Sequence, residues 1–220
     1  MGSATTSGDG AGRHGRDVRP PDVAPVDVVA VGADGWARLE AFFGPSGAYS
    51  HCWCTWWRQP SAAFDAGCRD GGAGNRALLE SLVRAGREPG LVALESGAPV
   101  GWVSVAPRTE YVRLARSPLL RGTGDLADDG VWALPCFWVP RAHRGRGVAS
   151  TLLAAAVDHA KARGARVLEA YPVAAAGRLA AAEAYTGTVT LFSRFGFRVV
   201  RRPPTGRRVV VRRDLGEALR

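Results

Sequence analysis

Between Val131 and Arg163 the chain reads VWALPCFWVPRAHRGRGVASTLLAAAVDHAKAR, and its middle, Arg144-Gly145-Arg146-Gly147-Val148-Ala149-Ser150, is the stretch best equipped for chemistry. Two glycines without a Cβ let an anion approach the backbone closely, and the arginines beside them carry full positive charges. A helix starting here has first amides with no intrahelical acceptor, and its dipole puts partial positive charge in the same place. Together these features describe a cradle for a diphosphate. It is not a nucleotide P-loop, because the Lys-Ser/Thr ending is missing. Nor do Gly145 and Gly147 lead to the third glycine of a dinucleotide fingerprint.

Two elements must position this loop. Upstream, Val131 to Val139 is apolar, aromatic and branched, which predicts a buried strand ended by Pro140. Pro135 inside it has no N–H for a ladder and predicts a bulge or local edge. Downstream, Val148, Leu152, Val157 and Ala160 recur at helical spacing, with Asp158, His159, Lys161 and Arg163 largely on the other face. Gly164 supplies the stop.

On these residues the chain resembles the GNAT superfamily of acyl-CoA-dependent N-acetyltransferases. Arg144-Gly145-Arg146-Gly147-Val148-Ala149 fits that superfamily's R/Q-x-x-G-x-G/A loop, and Leu191-Phe192-Ser193-Arg194-Phe195-Gly196-Phe197 is similar to its late helix and "GF" ending. By element order the likeness runs over roughly residues 26 to 213. It implies an α/β fold: a mixed, mostly antiparallel sheet flanked by helices, with two central parallel strands splayed apart. It also implies acetyl-CoA as co-substrate. Backbone groups of Phe137, Trp138 and Val139 would then hold the pantetheine arm, and the diphosphate would sit on Arg144 to Ser150. The thioester would lie beside Cys136 or Phe137. Phe192, grouped with the cofactor-binding residues, stands where the superfamily often carries a tyrosine acid, and the strand Val131 to Val139 lacks the frequent glutamate base.

An acid and a base must therefore come from elsewhere, or positioning and water do most of the work. The strand expected at Arg166 to Tyr171 offers Glu169 and Tyr171, which alternate with Leu168 and Ala170 and so share a face. A carboxylate in a strand fit for burial is costly without a role or a partner. Glu169 is a candidate to deprotonate or bind the ammonium, and Tyr171 to protonate the departing thiolate. The structural alternative pairs Glu169 with an arginine such as Arg166.

His51-Cys52-Trp53-Cys54-Thr55-Trp56-Trp57-Arg58 is the oddest segment. A metal site from His51, Cys52, Cys54 and Cys68 lacks the second matching pair that zinc sites prefer, so no metal is assigned. Aromatic core packing accounts for the segment, since Trp and Cys are often largely buried. The resemblance makes Trp53, Cys54 and Trp57 candidate walls of the acceptor pocket. The long charged stretch from Pro107 to Gly130, which carries Tyr111, reads as irregular and as a possible lid over that acceptor.

The 220 residues carry a net charge of +9 and 46% apolar residues, ordinary for a soluble domain apart from the basicity. Residues 1–25 are poor in large apolar side chains and predict a disordered tail before a single domain over 26–220. No run suits a membrane span or a signal peptide, and four irregularly spaced cysteines do not form a disulfide framework, which together suggest the cytoplasm. The arginines attract anions, but no RNA- or DNA-binding motif accompanies them, which argues against nucleic acid as partner. The expectation is an enzyme acetylating the primary amine of a small molecule. The alternatives are a non-catalytic acyl-CoA sensor and a transferase acting on a protein, peptide or RNA-linked amine. A homodimer is compatible with the sequence.

Elsewhere, strands are expected at Val26 to Val31, Leu91 to Glu95, Val100 to Ala106, Phe197 to Arg202 and Arg208 to Arg213. Asp34 and Asn75 are read as caps of two helices.

Overall fold

The computed structural model describes residues 26–174 and 184–216. The tail expected over 1–25 lies outside the described residues, as does most of the alanine-rich path between Ala174 and Tyr185. Strands β1 (Val26–Ala30), β2 (Gly90–Glu95), β3 (Ala98–Pro107), β4 (Val131–Trp138), β5 (Val167–Ala170), β6 (Arg198–Arg201) and β7 (Val210–Asp214) form one sheet, ordered β1-β2-β3-β4-β5-β7-β6. Among the described strands only β4 and β5 run parallel; the other neighbours are antiparallel. The helices are α1 (Trp36–Phe43), α2 (Ser61–Gly67), α3 (Arg69–Arg84), α4 (Val112–Ala115), α5 (Val148–Ala162) and α6 (Val189–Arg194).

Both faces of the sheet are covered, which explains the unbroken apolar runs of its middle strands. From β2, Leu91 and Ala93 join Leu152, Leu153, Ala156 and Ala160 of α5 in one core. Val92 and Leu94 turn the other way, to Leu39, Phe43, Leu79 and Val83 of α1 and α3. The helix α5 comes close because Gly101 of β3 has no side chain; a Cβ there would stand 2.6 Å from Val148 Cγ1.

Several local expectations are corrected. Asp34 caps nothing; it lies in a 3₁₀ turn, Ala33–Gly35, and Gly35 precedes α1. Asn75 is not a cap but a buried residue inside α3, where its side chain accepts from Gln59 Nε2 (2.6 Å) and donates to the His51 carbonyl (3.0 Å). The stretch from Pro107 to Gly130 is no irregular lid. It contains α4 and two 3₁₀ turns, with Tyr111, Leu114, Leu119 and Leu120 buried beneath. Its apolar residues are too few to show a period in the sequence, yet enough to anchor it. At Pro135 the pairing slips between Ser104↔Cys136 and Ala106↔Ala133, so β4 carries the extra residue of a bulge.

Candidate functional site

The strands β4 and β5 pair only from Val131↔Val167 to Leu134↔Ala170. Past Ala170 the chain turns through Tyr171 and Pro172 to Val173, which bridges Thr188 and Arg208 instead. On β4, Pro135 to Trp138 continue with no strand on that side among the described residues. Backbone groups along such an edge are available to an extended, amide-bearing chain. Phe137 is buried, and the ring of Trp138 packs edge-on against Phe42 and Phe43. The Val139 carbonyl accepts from Arg144 Nε at 2.9 Å, so Arg144 straps the strand end to the loop.

That loop opens α5. Gly145 and Gly147 sit at φ +76° and +85°, the left-handed region that favours glycine, and the space over both is open. Among the described residues, no protein oxygen accepts from the amides of Gly145 to Ala149. The first amides to be engaged are those of Ser150 and Thr151, at 2.8 and 3.1 Å from the Gly147 carbonyl. Val148 sends its side chain into the core, which fixes the helix start. Arg146 is balanced by Glu95 at 2.5 Å. Unclaimed amides, a helix of 15 residues behind them and bare glycines fit a diphosphate.

A second concavity of about 1050 Å³ is walled by Trp56, Trp57, α4, Tyr185 and the connection 203–208, and no residue of the loop or of β4 lines it. Tyr185 is the link between the two regions. Its 3₁₀ turn, Ala184–Thr186, packs against β4. Burial lifts its phenol above the ordinary range, Arg208 opposes, and the Cys136 and Cys52 thiols stand near enough to add to the rise. The Tyr185 oxygen accepts from Arg208 Nη2 at 2.8 Å, which leaves its own proton free to be donated.

The expected catalytic pair lies elsewhere. Glu169 and Tyr171 are each 0% exposed and line no part of the cleft. The two do share a face, and the Tyr171 hydroxyl donates to Glu169 Oε1 at 2.7 Å. Glu169 Oε2 takes Arg212 Nε at 2.6 Å and Arg108 Nη1 at 3.4 Å. The anticipated Arg166 pairs with Asp128 instead. Burial and the neighbouring carboxylate push the Tyr171 phenol well above its ordinary range. The Glu169 carboxylate is thus engaged by two guanidinium groups and a phenol, and these residues brace one another.

Of the candidate acceptor walls, only Trp57 lines the cleft. Trp53 belongs to the aromatic core with Trp36 and Phe43, and Tyr111 is buried with its hydroxyl 2.9 Å from Ser104 Oγ. Cys54 Sγ lies 3.6 Å from Cys136 Sγ, and this contact and burial raise the Cys54 thiol well above its usual range. Phe192 is fully buried between Phe137 and Phe197. Among the described residues no group of three His, Cys, Asp or Glu side chains can hold a metal. The cleft also brings together Tyr185, Arg113 and Arg208, which no motif or spacing in the sequence singles out.

Residues 51–187, more than half of the chain, match the acetyltransferase (GNAT) family model. No curated protein matches the sequence. Solved structures do match the fold. A GNAT-family acetyltransferase from Streptococcus pneumoniae aligns at 17% identity over 87% of this chain and 100% of its own, with a TM-score of 0.50. An N-acetyltransferase from Staphylococcus aureus Mu50 aligns at 19% identity over 87% and 99%, with a TM-score of 0.48. The PaiA N-acetyltransferase of Thermoplasma acidophilum, solved in complex with coenzyme A, aligns at 13% identity over 86% and 99%, with a TM-score of 0.49.

Proposed function

The chain belongs to the acetyltransferase (GNAT) family and is a transferase, and from that premise we propose that it moves an acetyl group from acetyl-CoA to the primary amine of a small molecule in the cytoplasm. The observation that carries this reading is the unpaired edge of β4 leading to the unclaimed amides of Gly145 to Ala149. Phe137 to Val139 would hold the pantetheine arm and the loop the diphosphate, which places the thioester towards Cys136. No helix among the described residues is long and apolar enough to cross a membrane.

In the transfer, the amine nitrogen attacks the thioester carbonyl, the C–N bond forms and the C–S bond breaks. One proton leaves nitrogen and one reaches sulfur. Tyr185, with its oxygen engaged by Arg208 and its proton free, is suited to supply the proton to the thiolate. Among the described residues no acidic side chain lines the cleft, so the amine arrives neutral or loses its proton to water. A concave cleft walled by aromatic and arginine side chains suits a small acceptor, which favours a metabolite-like amine.

The test is thiol release from acetyl-CoA by the purified protein across a panel of primary amines. Acceptor-dependent release above hydrolysis is expected. Tight CoA binding with background release throughout would instead make the protein a non-catalytic CoA sensor.

A further inference from the structure

Among the described residues lining the cleft, seven are arginines and none is Asp or Glu. Arg58 is balanced by Glu110 at 2.6 Å. Among the described residues, Arg113, Arg116, Arg121, Arg201 and Arg208 have no carboxylate within ion-pair distance. Two of them are nevertheless held in place. The Arg113 guanidinium lies 3.7 Å over the Trp56 ring and donates to the Trp56 carbonyl (2.7 Å) and Ser61 Oγ (2.8 Å). Arg208 is fixed by the Tyr185 hydroxyl and lies over the Trp57 and Tyr185 rings. One nitrogen of each, Arg113 Nη2 and Arg208 Nη1, has no hydrogen-bond partner.

Aromatic faces and neutral oxygens orient these cations without neutralising them. Like charges gathered in a concavity repel one another, and low-dielectric walls focus their field into the space between. A second ammonium group on the acceptor would be repelled there, whereas a carboxylate or phosphate would be drawn in and matched by the guanidinium fork. The CoA diphosphate does not account for the array, since its loop contributes nothing to the cleft lining.

We propose that the acceptor is an anionic amine, its carboxylate or phosphate seated among the unpaired arginines of the cleft and its amino group directed to Tyr185. The inference rests on the acetyltransferase reading and names its substrate class. It also answers how an amine loses its proton without a carboxylate base in the cleft. A positive field disfavours the ammonium form, so the same arginines that hold the acid group help to free the nucleophile.

Two measurements test this separately. In the first, the full-length protein is titrated calorimetrically at low salt with inorganic phosphate, 4-aminobutyrate and CoA, beside Arg113→Gln and Arg116→Gln. One of the two small anions should bind and weaken at least about tenfold in the variants, while CoA affinity holds and reports an intact fold. Failure of both anions to bind, or binding indifferent to the variants, overturns the proposal. In the second, thiol release compares 4-aminobutyrate with butylamine, and O-phosphoethanolamine with ethanolamine. A kcat/KM at least about tenfold higher for the anionic member of one pair is expected, and which pair responds separates carboxylate from phosphate. Equal or reversed preference in both pairs overturns the proposal. Absence of all turnover beside arginine-dependent anion binding supports the anion site and sinks the transferase reading instead.

Discussion

The Tyr171 hydroxyl donates to Glu169 Oε1 across 2.7 Å in the interior of the domain, where neither residue has any exposed surface. With Arg108 and Arg212 on the other carboxylate oxygen, this bond ties β5 to β7 and to the 3₁₀ turn that follows β3. Arg212 also donates to the Thr123 carbonyl at 2.7 Å, so the brace reaches the connection before β4. It stands where β5 ends and the two parallel strands part. From that position we expect it to hold the parting open.

Removing the charge of Glu169 should therefore unfold rather than inactivate. Glu169→Gln leaves two guanidinium groups near an uncharged amide, and breaking one partner of a buried pair costs roughly 3–5 kcal/mol. Denaturant titration should show that loss. Tyr171→Phe removes one hydrogen bond to a charged group and should cost about 1.5–3 kcal/mol. If either variant kept full stability while losing turnover by orders of magnitude, the brace would be refuted and the catalytic reading restored.

The legible part of this molecule is its local part. Strand, glycine-bearing loop and helix from Val131 to Ala162 are contiguous, and apolar runs, Pro140 and the positive-φ glycines announce them in order. Glu169 shows the limit. Its alternation with Leu168 gives the shared face with Tyr171, but its true partners come from 61 and 43 residues away, and Arg166, near in sequence, is taken by Asp128. Trp53 and Trp57 likewise differ only in which wall they meet. Tyr185 acquires its place because Val173 bridges Thr188 and Arg208, a long-range arrangement that no spacing encodes.

The buried phenols also predict an alkaline limit to stability. Burial pushes Tyr111 up to about 12, and Tyr171 is raised further by the Glu169 carboxylate. Both hold their protons more tightly in the folded than in the unfolded chain. Their contribution is complete below about pH 10, the ordinary tyrosine value, and is lost as pH rises towards the folded values. Each should tilt unfolding free energy downward by on the order of 1.4 kcal/mol per pH unit within that window. Stability measured from pH 9 to 12 should fall more gently in Tyr111→Phe than in the parent.

At the diphosphate loop, Gly147→Val tests backbone access. The residue stands at φ +85°, where a branched side chain is strained, although nothing lies within 4 Å of its added Cβ. The fold should thus lose about 1–2 kcal/mol from strain. The larger effect should fall on CoA, whose affinity is expected to drop at least about tenfold because the side chain crowds the free amides. A Gly147→Val protein that bound CoA as tightly as the parent would remove the loop from the site.

Tyr185 carries the sharpest kinetic prediction. Its oxygen is engaged by Arg208 and its proton is free, and burial keeps the phenol protonated beyond its ordinary range. As the acid for the departing thiolate, it should give a kcat that holds through neutral pH and declines only once the phenol ionises, above about pH 10. Tyr185→Phe should lower kcat by roughly 10²-fold, within the usual span for a lost acid, leave the CoA affinity in place and abolish that alkaline decline. A tyrosine that only shaped the wall would behave differently. Its loss would raise the acceptor KM and leave the pH profile standing, and that result would return the proton to solvent.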